Sequence, residues 1–288
     1  MIYILLSILC STSLFIIFKY LDKFKIDAFL VIVINYFVAA SLGFILNYDT
    51  NYNKIMSEIS KWYYLAIIIG VLFILMFFVI GVSSRKIGIA ITSVSSKMSV
   101  ILPITFSIIY FSETVSNLKI IGIILAVFAI ILSVYKKSEK KLELHFIYLP
   151  VILLLGMGTT DILLKISQNC CINKEISSIF TAILFMISGI TGLIISLYKP
   201  KIWKNIKSKK TILMGVILGI INFGSIYFLI NALNSNKFDS SIIFGINNIG
   251  IVALSVLSGL ILFKEKLSLI NLIGIILSLT AIFVLSNS

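Results

Sequence analysis

The stretch FSETVSNLKIIGIILAVFAI at residues 111–130 returns 152 positions later as FKEKLSLINLIGIILSLTAI at residues 263–282. Ten of the twenty positions are identical, among them a phenylalanine, a glutamate and the block Ile-Gly-Ile-Ile-Leu. Each copy leads from the end of one long apolar run into the next one. A repeat with this spacing indicates that the chain consists of two related halves.

The composition predicts an integral membrane protein. Sixty per cent of the 288 residues are hydrophobic and only 12% are charged, whereas soluble domains use roughly 45–50% apolar and about 25% charged residues. The formal net charge is +13, but the basic residues lie in short links between apolar runs. We therefore interpret them as topology signals and contacts to lipid headgroups, and we expect no nucleic-acid partner.

The apolar runs predict ten transmembrane helices. A bilayer core about 30 Å thick needs roughly 20 apolar residues per helix, and the runs are too long and too evenly apolar for the strands of a barrel. The fold class is therefore an all-α integral membrane protein. The predicted spans are 2–18, 27–47, 62–83, 88–111, 117–135, 146–168, 176–198, 211–233, 240–263 and 267–286.

The repeat makes each half a unit of five helices, with residues 1–135 in the first, 146–288 in the second and a polar link at 136–145 between them. A chain that crosses the membrane five times ends on the opposite side. The second half must therefore be inverted relative to the first. Weaker echoes support the same pairing, since Tyr36 and Gly43 match Phe185 and Gly192.

The basic residues are distributed unevenly among the links. With Lys97 set aside, the odd-numbered links carry 17 lysines and arginines, and the even-numbered links together with the adjoining ends of the spans carry six. The positive-inside rule then places the odd-numbered links in the cytoplasm and both termini outside a plasma or inner membrane.

The two motifs IIYFSETVSNLKIIGIIL at 108–125 and LILFKEKLSLINLIGIIL at 260–277 resemble the EamA-type branch of the drug/metabolite transporter superfamily. The resemblance extends over essentially the whole chain. It implies ten helices in two inverted five-helix halves and secondary transport of small metabolites such as amino acids, drugs, sugars or nucleotide sugars, often as export. Members of this family commonly have both termini in the cytoplasm, which is the reverse of what the lysine count predicts here.

Lys97, in ITSVSSKMSVILP at 91–103, is the strongest single candidate for a functional residue. It lies about ten residues into span 4, near the middle of the membrane, where a lysine costs roughly 2.5–3.5 kcal/mol. We predict that it lines the substrate pathway and captures a carboxylate or phosphate, with the hydroxyls of Ser93 and Ser96 beside it. Pro103 lacks a backbone donor and favours a bend nearby. Alternatively, the Lys97 side chain snorkels toward the membrane surface, or it pairs with another side chain and serves packing alone.

Asp161 is the one acidic residue well inside a predicted span. Facing a wet cavity, its carboxyl group could exchange protons and couple transport to a gradient. Alternatively, it pairs with Lys165 one turn away.

Further polar residues within the spans are candidates for the pathway. Asn247 and Asn248 lie in span 9, which the repeat makes equivalent to span 4, and hydrogen bonding between helices is the alternative role for them. Weaker candidates are Asn35, Tyr36, Thr159 and Thr160.

Glu113 and Glu265 recur with the repeat but lie in tight links, beside the candidate N-caps Ser116 and Ser268. We predict structural roles for both glutamates, because negative charge is favourable near a helix N-terminus. Spans 5 and 10 contain almost no polar atoms and are assigned to scaffold or lipid contact.

These features favour a secondary carrier for an anionic or zwitterionic solute over other classes. The sequence has no P-loop that would bind ATP, and no cofactor or metal site is predicted. A membrane-embedded enzyme would gather carboxylates or histidines, but His145 has none around it. A lipid translocase or a channel is the alternative function that the sequence also allows.

Overall fold

The structure is a computed structural model that describes residues 2–47, 52–110, 116–134, 146, 148–170, 174–198, 208–234 and 240–287. All regular secondary structure in these ranges is helical. The helices are α1 (Ile2–Lys23), α2 (Ala28–Leu46), α3 (Tyr52–Lys86), α4 (Ile89–Lys97), α5 (Ile101–Tyr110), α6 (Asn117–Val134), α7 (Tyr148–Cys170), α8 (Lys174–Leu197), α9 (Lys209–Asn234), α10 (Ser240–Phe263) and α11 (Leu269–Ser286), with a 3₁₀ turn at Met98–Val100.

Eight helical segments are long and apolar enough to cross a membrane, so the prediction of an all-α, multi-pass membrane protein is confirmed. Nine of the ten predicted spans overlap with one helix each, and the fourth overlaps with α4 and α5. Helices α6 and α11 are shorter apolar helices, over Asn117–Ser133 and Leu269–Leu285. The eight longer segments are Ile2–Lys23, Ala28–Leu46, Ser60–Lys86, Ile89–Tyr110, Tyr148–Ser167, Ile179–Leu197, Lys209–Leu233 and Ile243–Phe263.

The fourth predicted span is interrupted in its middle. Helix α4 ends at Lys97, and the chain continues as the 3₁₀ turn Met98–Val100 before α5 begins. Pro103 falls in the first turn of α5, where a residue without an N–H is tolerated. The bend that the sequence predicts near Pro103 is therefore a change of helix type just before it, directly after the lysine.

The Cα positions divide the chain into two compact units, and each unit takes segments from both halves of the sequence. Unit 1 contains residues 1–19, 79–158 and 224–288, and unit 2 contains residues 20–78 and 159–223. Helices α1, α3, α7 and α9 contribute residues to both units.

In unit 1, α6 packs antiparallel against α11. A Cβ added at Gly122 would lie 2.6 Å from Leu285 at the far end of α11, and Gly274 lies against the backbone of Ser133 near the end of α6. Asn271 in the first turn of α11 donates to the carbonyl of Ser133 at 2.8 Å. The outer faces of both helices are apolar and exposed, as Phe128 and Ile276 illustrate, which agrees with a role in scaffold and lipid contact.

Helix α10 packs against α4 in the same unit. Val252 and Val256 of α10 share an apolar cluster with Val94 of α4 and Met98 of the 3₁₀ turn. The middle of α10 lies against α1, because a Cβ at Gly250 would clash with Ile8. Helix α10 therefore contacts both α1 and α4.

In unit 2, α2 packs antiparallel against α8. A Cβ at Gly43 would lie 2.7 Å from the Cβ of Ala182, and one at Gly192 would lie 2.8 Å from Val33. The Tyr36 ring lies between these points, with its centroid 5.9 Å from that of Phe185. Small residues thus bring the two backbones close together over the length of the pair.

We predict that Gly274→Ala lowers the stability of the protein, because the new methyl group would overlap with the Ser133 backbone, which cannot rotate away. Overpacking of this kind costs typically about 1–3 kcal/mol. The midpoint of thermal unfolding in detergent measures the effect. Gly224→Ala is the matched control, since its Cβ would lie 3.3 Å from the Cys10 sulfur. Equal midpoints for the two variants would contradict the close contact.

Candidate functional site

The candidate site in unit 1 is built around α4. Ser93 is fully buried, Ser96 is 3% exposed and Lys97 in the last turn is half-buried. The Ser93 hydroxyl donates to the Ala90 carbonyl at 2.9 Å, and the Ser96 hydroxyl donates to the Ser93 carbonyl at 3.1 Å. Because each hydroxyl has already used its proton, it offers a ligand its oxygen lone pairs.

The position of Lys97 at the end of α4 is electrostatically favourable. Cations are stabilised at a helix C-terminus, where the last carbonyl groups have no partner within the helix. The 3₁₀ turn that follows bonds Ile101 N–H to the Met98 and Ser99 carbonyls. The sequence therefore places a positive charge where the backbone field supports it and where the helix is interrupted.

Asn247 in α10 has a buried side-chain oxygen that could accept a hydrogen bond. Its side chain is 3% exposed, and its Oδ1 atom has no hydrogen-bond partner among the described residues. A buried acceptor without a donor costs about 1–3 kcal/mol. Asn248, the next residue, is half-buried. Since α10 packs on α4, the structure brings these two asparagines and the α4 candidates into one unit.

The other end of α4 is held by a carboxylate from far along the chain. The N-cap residue of α4 is Gly88, which has φ 96° and provides no side-chain cap. Glu265 takes over this role, as its Oε1 and Oε2 atoms accept from the backbone N–H groups of Ile89 at 2.8 Å and Ala90 at 3.3 Å. Its Oε1 atom is also 3.4 Å from the Nζ atom of Lys19.

The predicted N-caps are confirmed at both helices. The Ser116 hydroxyl accepts from the Lys119 N–H at 3.1 Å at the start of α6, and Ser268 forms a capping box with Asn271 at the start of α11. Glu265, however, caps α4 rather than the helix that follows it in sequence. Glu113 lies outside the described residues.

Asn35 and Tyr36 of unit 2 take part in packing. Asn35 is fully buried, and with its amide oriented to suit its surroundings it donates to the Leu218 carbonyl at 3.2 Å. The Tyr36 hydroxyl donates to the Phe73 carbonyl at 2.8 Å, and its ring contacts those of Phe77 and Phe185. These contacts favour a structural role for both residues.

Thr160 and Asp161 lie on the part of α7 that belongs to unit 2. Thr160 is 1% exposed and Asp161 is half-buried. The predicted pathway residues are thus divided between the units, with the α4 and α10 candidates in unit 1 and the α2 and α7 candidates in unit 2. Among the described residues, no group of three His, Cys, Asp or Glu side chains is placed to hold a metal ion.

Two features of the site were missed by sequence reasoning. The first is the ion pair of Lys19 with Glu265, whose members are 246 positions apart. The second is Asn222, which lies 3.1 Å from the Asn35 amide. In the sequence, Lys19 resembles the other lysines beside the links, and the signal for Asn222 is an asparagine near the middle of an apolar run.

No protein-family model matches the sequence. The chain is similar to an uncharacterized protein of Haemophilus influenzae, with 28% identity over 294 residues. The alignment covers 98% of this chain and 96% of that protein. The similarity therefore extends over nearly the full length of both proteins.

We predict that Tyr36→Phe lowers the stability of the protein without lowering the solute transport that the sequence predicts. The substitution removes one buried hydrogen bond, worth about 0.5–1.5 kcal/mol, and keeps the ring contacts with Phe77 and Phe185. Thermal unfolding in detergent and solute flux in liposomes would be measured on the same preparation. Normal stability combined with lost transport would instead assign the hydroxyl to the pathway.

Proposed function

We propose that this protein is a secondary active transporter that moves a small anionic or zwitterionic organic solute by alternating access. The proposal includes ten spans in two inverted five-helix repeats, of the type found in the EamA branch of the drug/metabolite transporters. Lys97 is its substrate-binding cation, located at the interruption between α4 and α5. Carriers commonly bind their substrates at such discontinuous helices near the middle of the bilayer.

The observation that carries the proposal is a set of contacts that occurs twice. Adding 152 to Gly122 and Ser133 gives Gly274 and Leu285. The contact of Gly122 with Leu285 therefore has its counterpart in the contact of Gly274 with Ser133. Mutually exchanged contacts of this kind are expected for two equivalent helices related by a two-fold axis, so they support the proposed inverted repeat.

The same exchange occurs in unit 2. An offset of 149 relates Gly43 to Gly192 and Val33 to Ala182, and both cross-contacts are present. Tyr36, whose counterpart is Phe185, is in ring contact with that counterpart. In both units the paired helices run antiparallel, as an inverted repeat requires.

This symmetry favours a carrier over the other classes. Two similar halves of opposite orientation can exchange conformations, so that one face closes as the other opens. An enzyme or a structural protein gains no evident advantage from such an arrangement. A lipid translocase or a channel is the second candidate, and the proposed transport assay separates a channel from a carrier.

The orientation in the membrane is proposed from charge. The end of α1, the start of α4 and the link between α10 and α11 meet at Glu265, and all three adjoin links of the lysine-rich set. We place this face in the cytoplasm and both termini outside. Membrane lipids are the expected partners of the exposed apolar faces.

The transport test uses purified protein in liposomes. We expect saturable counterflow with at least one solute from a panel of amino acids, organic acids and nucleotide sugars. Lys97→Met should lower the exchange rate by about tenfold or more, because a hydrogen bond to a charged group is worth roughly 1.5–3 kcal/mol.

The matched control for this test is Lys61→Met, since Lys61 is an exposed lysine near the start of the third span. Exchange by Lys97→Met at the wild-type rate would remove Lys97 from the binding site. Flux that neither saturates nor supports counterflow would identify a channel instead.

Proton coupling is proposed for Asp161. Asp161→Asn keeps the side-chain shape and removes the ionisable group, so we expect counterflow to persist while accumulation driven by a pH gradient is lost. The measurement compares solute uptake with and without an imposed gradient. Asp22→Asn, at the exposed end of α1, is the control. Gradient-driven accumulation by Asp161→Asn would mean that another group, or no proton, couples transport.

A further inference from the structure

We propose that Glu265 is a positioning residue. It couples closure of the substrate pathway, on the side of the membrane where Glu265 lies, to the position of Lys97. The inference rests on the proposed transport function and deepens it. The contact of Glu265 with the start of α4 holds the helix that carries Lys97 in one conformational state. Glu265 itself lies outside the substrate pathway.

Three separate segments of chain meet at the Glu265 carboxylate. Helix α4 provides the N–H groups of Ile89 and Ala90, α1 provides the Lys19 ammonium group, and α10 provides the surface at Gly259. The Glu265 side chain is 10% exposed and the Lys19 side chain 23%. The carboxylate can keep all of these partners only while the ends of α1, α4 and α10 remain together.

The pocket around the carboxylate is closely fitted. A Cβ added at Gly88 would lie 2.7 Å from Oε2, and one added at Gly259 would lie 2.6 Å from the same atom. Lys264 has φ 51°, which is an uncommon left-handed conformation for a residue other than glycine. This turn brings the backbone N–H of Glu265 to within 2.9 Å of the Gly259 carbonyl. Both the main chain and the side chain of Glu265 are therefore fixed.

Helix α4 is short enough to transmit a movement at one end to the other. Glu265 holds its first residue, Ile89, and Lys97 is its last residue, about 12 Å away at 1.5 Å per residue. The 3₁₀ turn after Lys97 separates α4 from α5, and such interruptions often act as hinges. Release of Glu265 would thus free α4 to move with Lys97 as one rigid segment.

This contact differs from a simple ion-pair gate. In an ion-pair gate, exchanging the two charges preserves the attraction. Here the glutamate position also faces the N-terminus of a helix, where a lysine would be repelled. Glu265→Gln keeps a hydrogen-bond acceptor for the α4 N–H groups and loses only the charge. These differences allow the two roles to be distinguished by experiment.

The test measures access to the binding region without any substrate. Ser96→Cys is the reporter in a chain whose Cys10, Cys170 and Cys171 are replaced by serine, and a membrane-impermeant maleimide is applied from one side or the other in sealed vesicles. With Glu265→Ala we expect labelling from the Glu265 face to rise by about tenfold, as the loss of one set of charged hydrogen bonds would cause. Labelling from the opposite face should fall.

Companion variants separate positioning from other roles. Gly259→Ala should shift labelling in the same direction without changing any charge, because its methyl group displaces the carboxylate. Glu265→Gln should lie between wild type and Glu265→Ala. The exchanged pair Lys19→Glu with Glu265→Lys should behave like Glu265→Ala, and recovery of the wild-type pattern by this pair would overturn the proposal in favour of a simple ion pair.

The remaining outcomes are also decisive. Labelling that rises equally from both faces would indicate general loosening and would overturn the positioning role, as would unchanged labelling in Glu265→Ala. A one-sided shift in a protein that exchanges no solute would support the conformational role of Glu265 while removing the transport proposal. The two proposals can therefore fail separately.

Discussion

Close contact between helix backbones at glycine is the constraint on which the rest of this structure depends. Apolar side chains gain little from leaving lipid, so helices in a membrane associate through packing and hydrogen bonds. Gly122 and Gly274 provide such contacts between α6 and α11, and Gly43 and Gly192 provide them between α2 and α8. Because a larger side chain at any of these positions would separate the helices, the glycines determine which helices are neighbours and in which register.

Much of the fold could be predicted from the sequence. The apolar runs predict most helix bounds to within a few residues, since length and hydrophobicity directly reflect the thickness of a bilayer. The exception is α3, which begins at Tyr52, ten residues before the predicted span. The caps Ser116 and Ser268 were predictable because capping depends on residues three positions apart. The interruption after Lys97 was not located, because Pro103 suggested a bend near itself and the turn at Met98–Val100 lies in the preceding residues.

The candidate site could be predicted only in part. Lys97, Ser93 and Ser96 share one helix, so their proximity follows from helical spacing. Tyr36 looked similar in sequence to a pathway residue, but its hydroxyl is bonded to the Phe73 carbonyl. Contacts of this kind join distant segments whose faces are all apolar. The hydrophobic pattern therefore contains little information about which face turns inward.

The composition of the two compact units has a consequence for how the protein is made. The helices α2 and α6 come from the first half of the chain, and each packs against a helix from the second half. When the ribosome has produced only the first half, the glycine-lined surfaces of both helices still lack their protein neighbours. Neither unit can be completed during early synthesis, so we expect the final helix packing to form only after the C-terminal segments have been inserted.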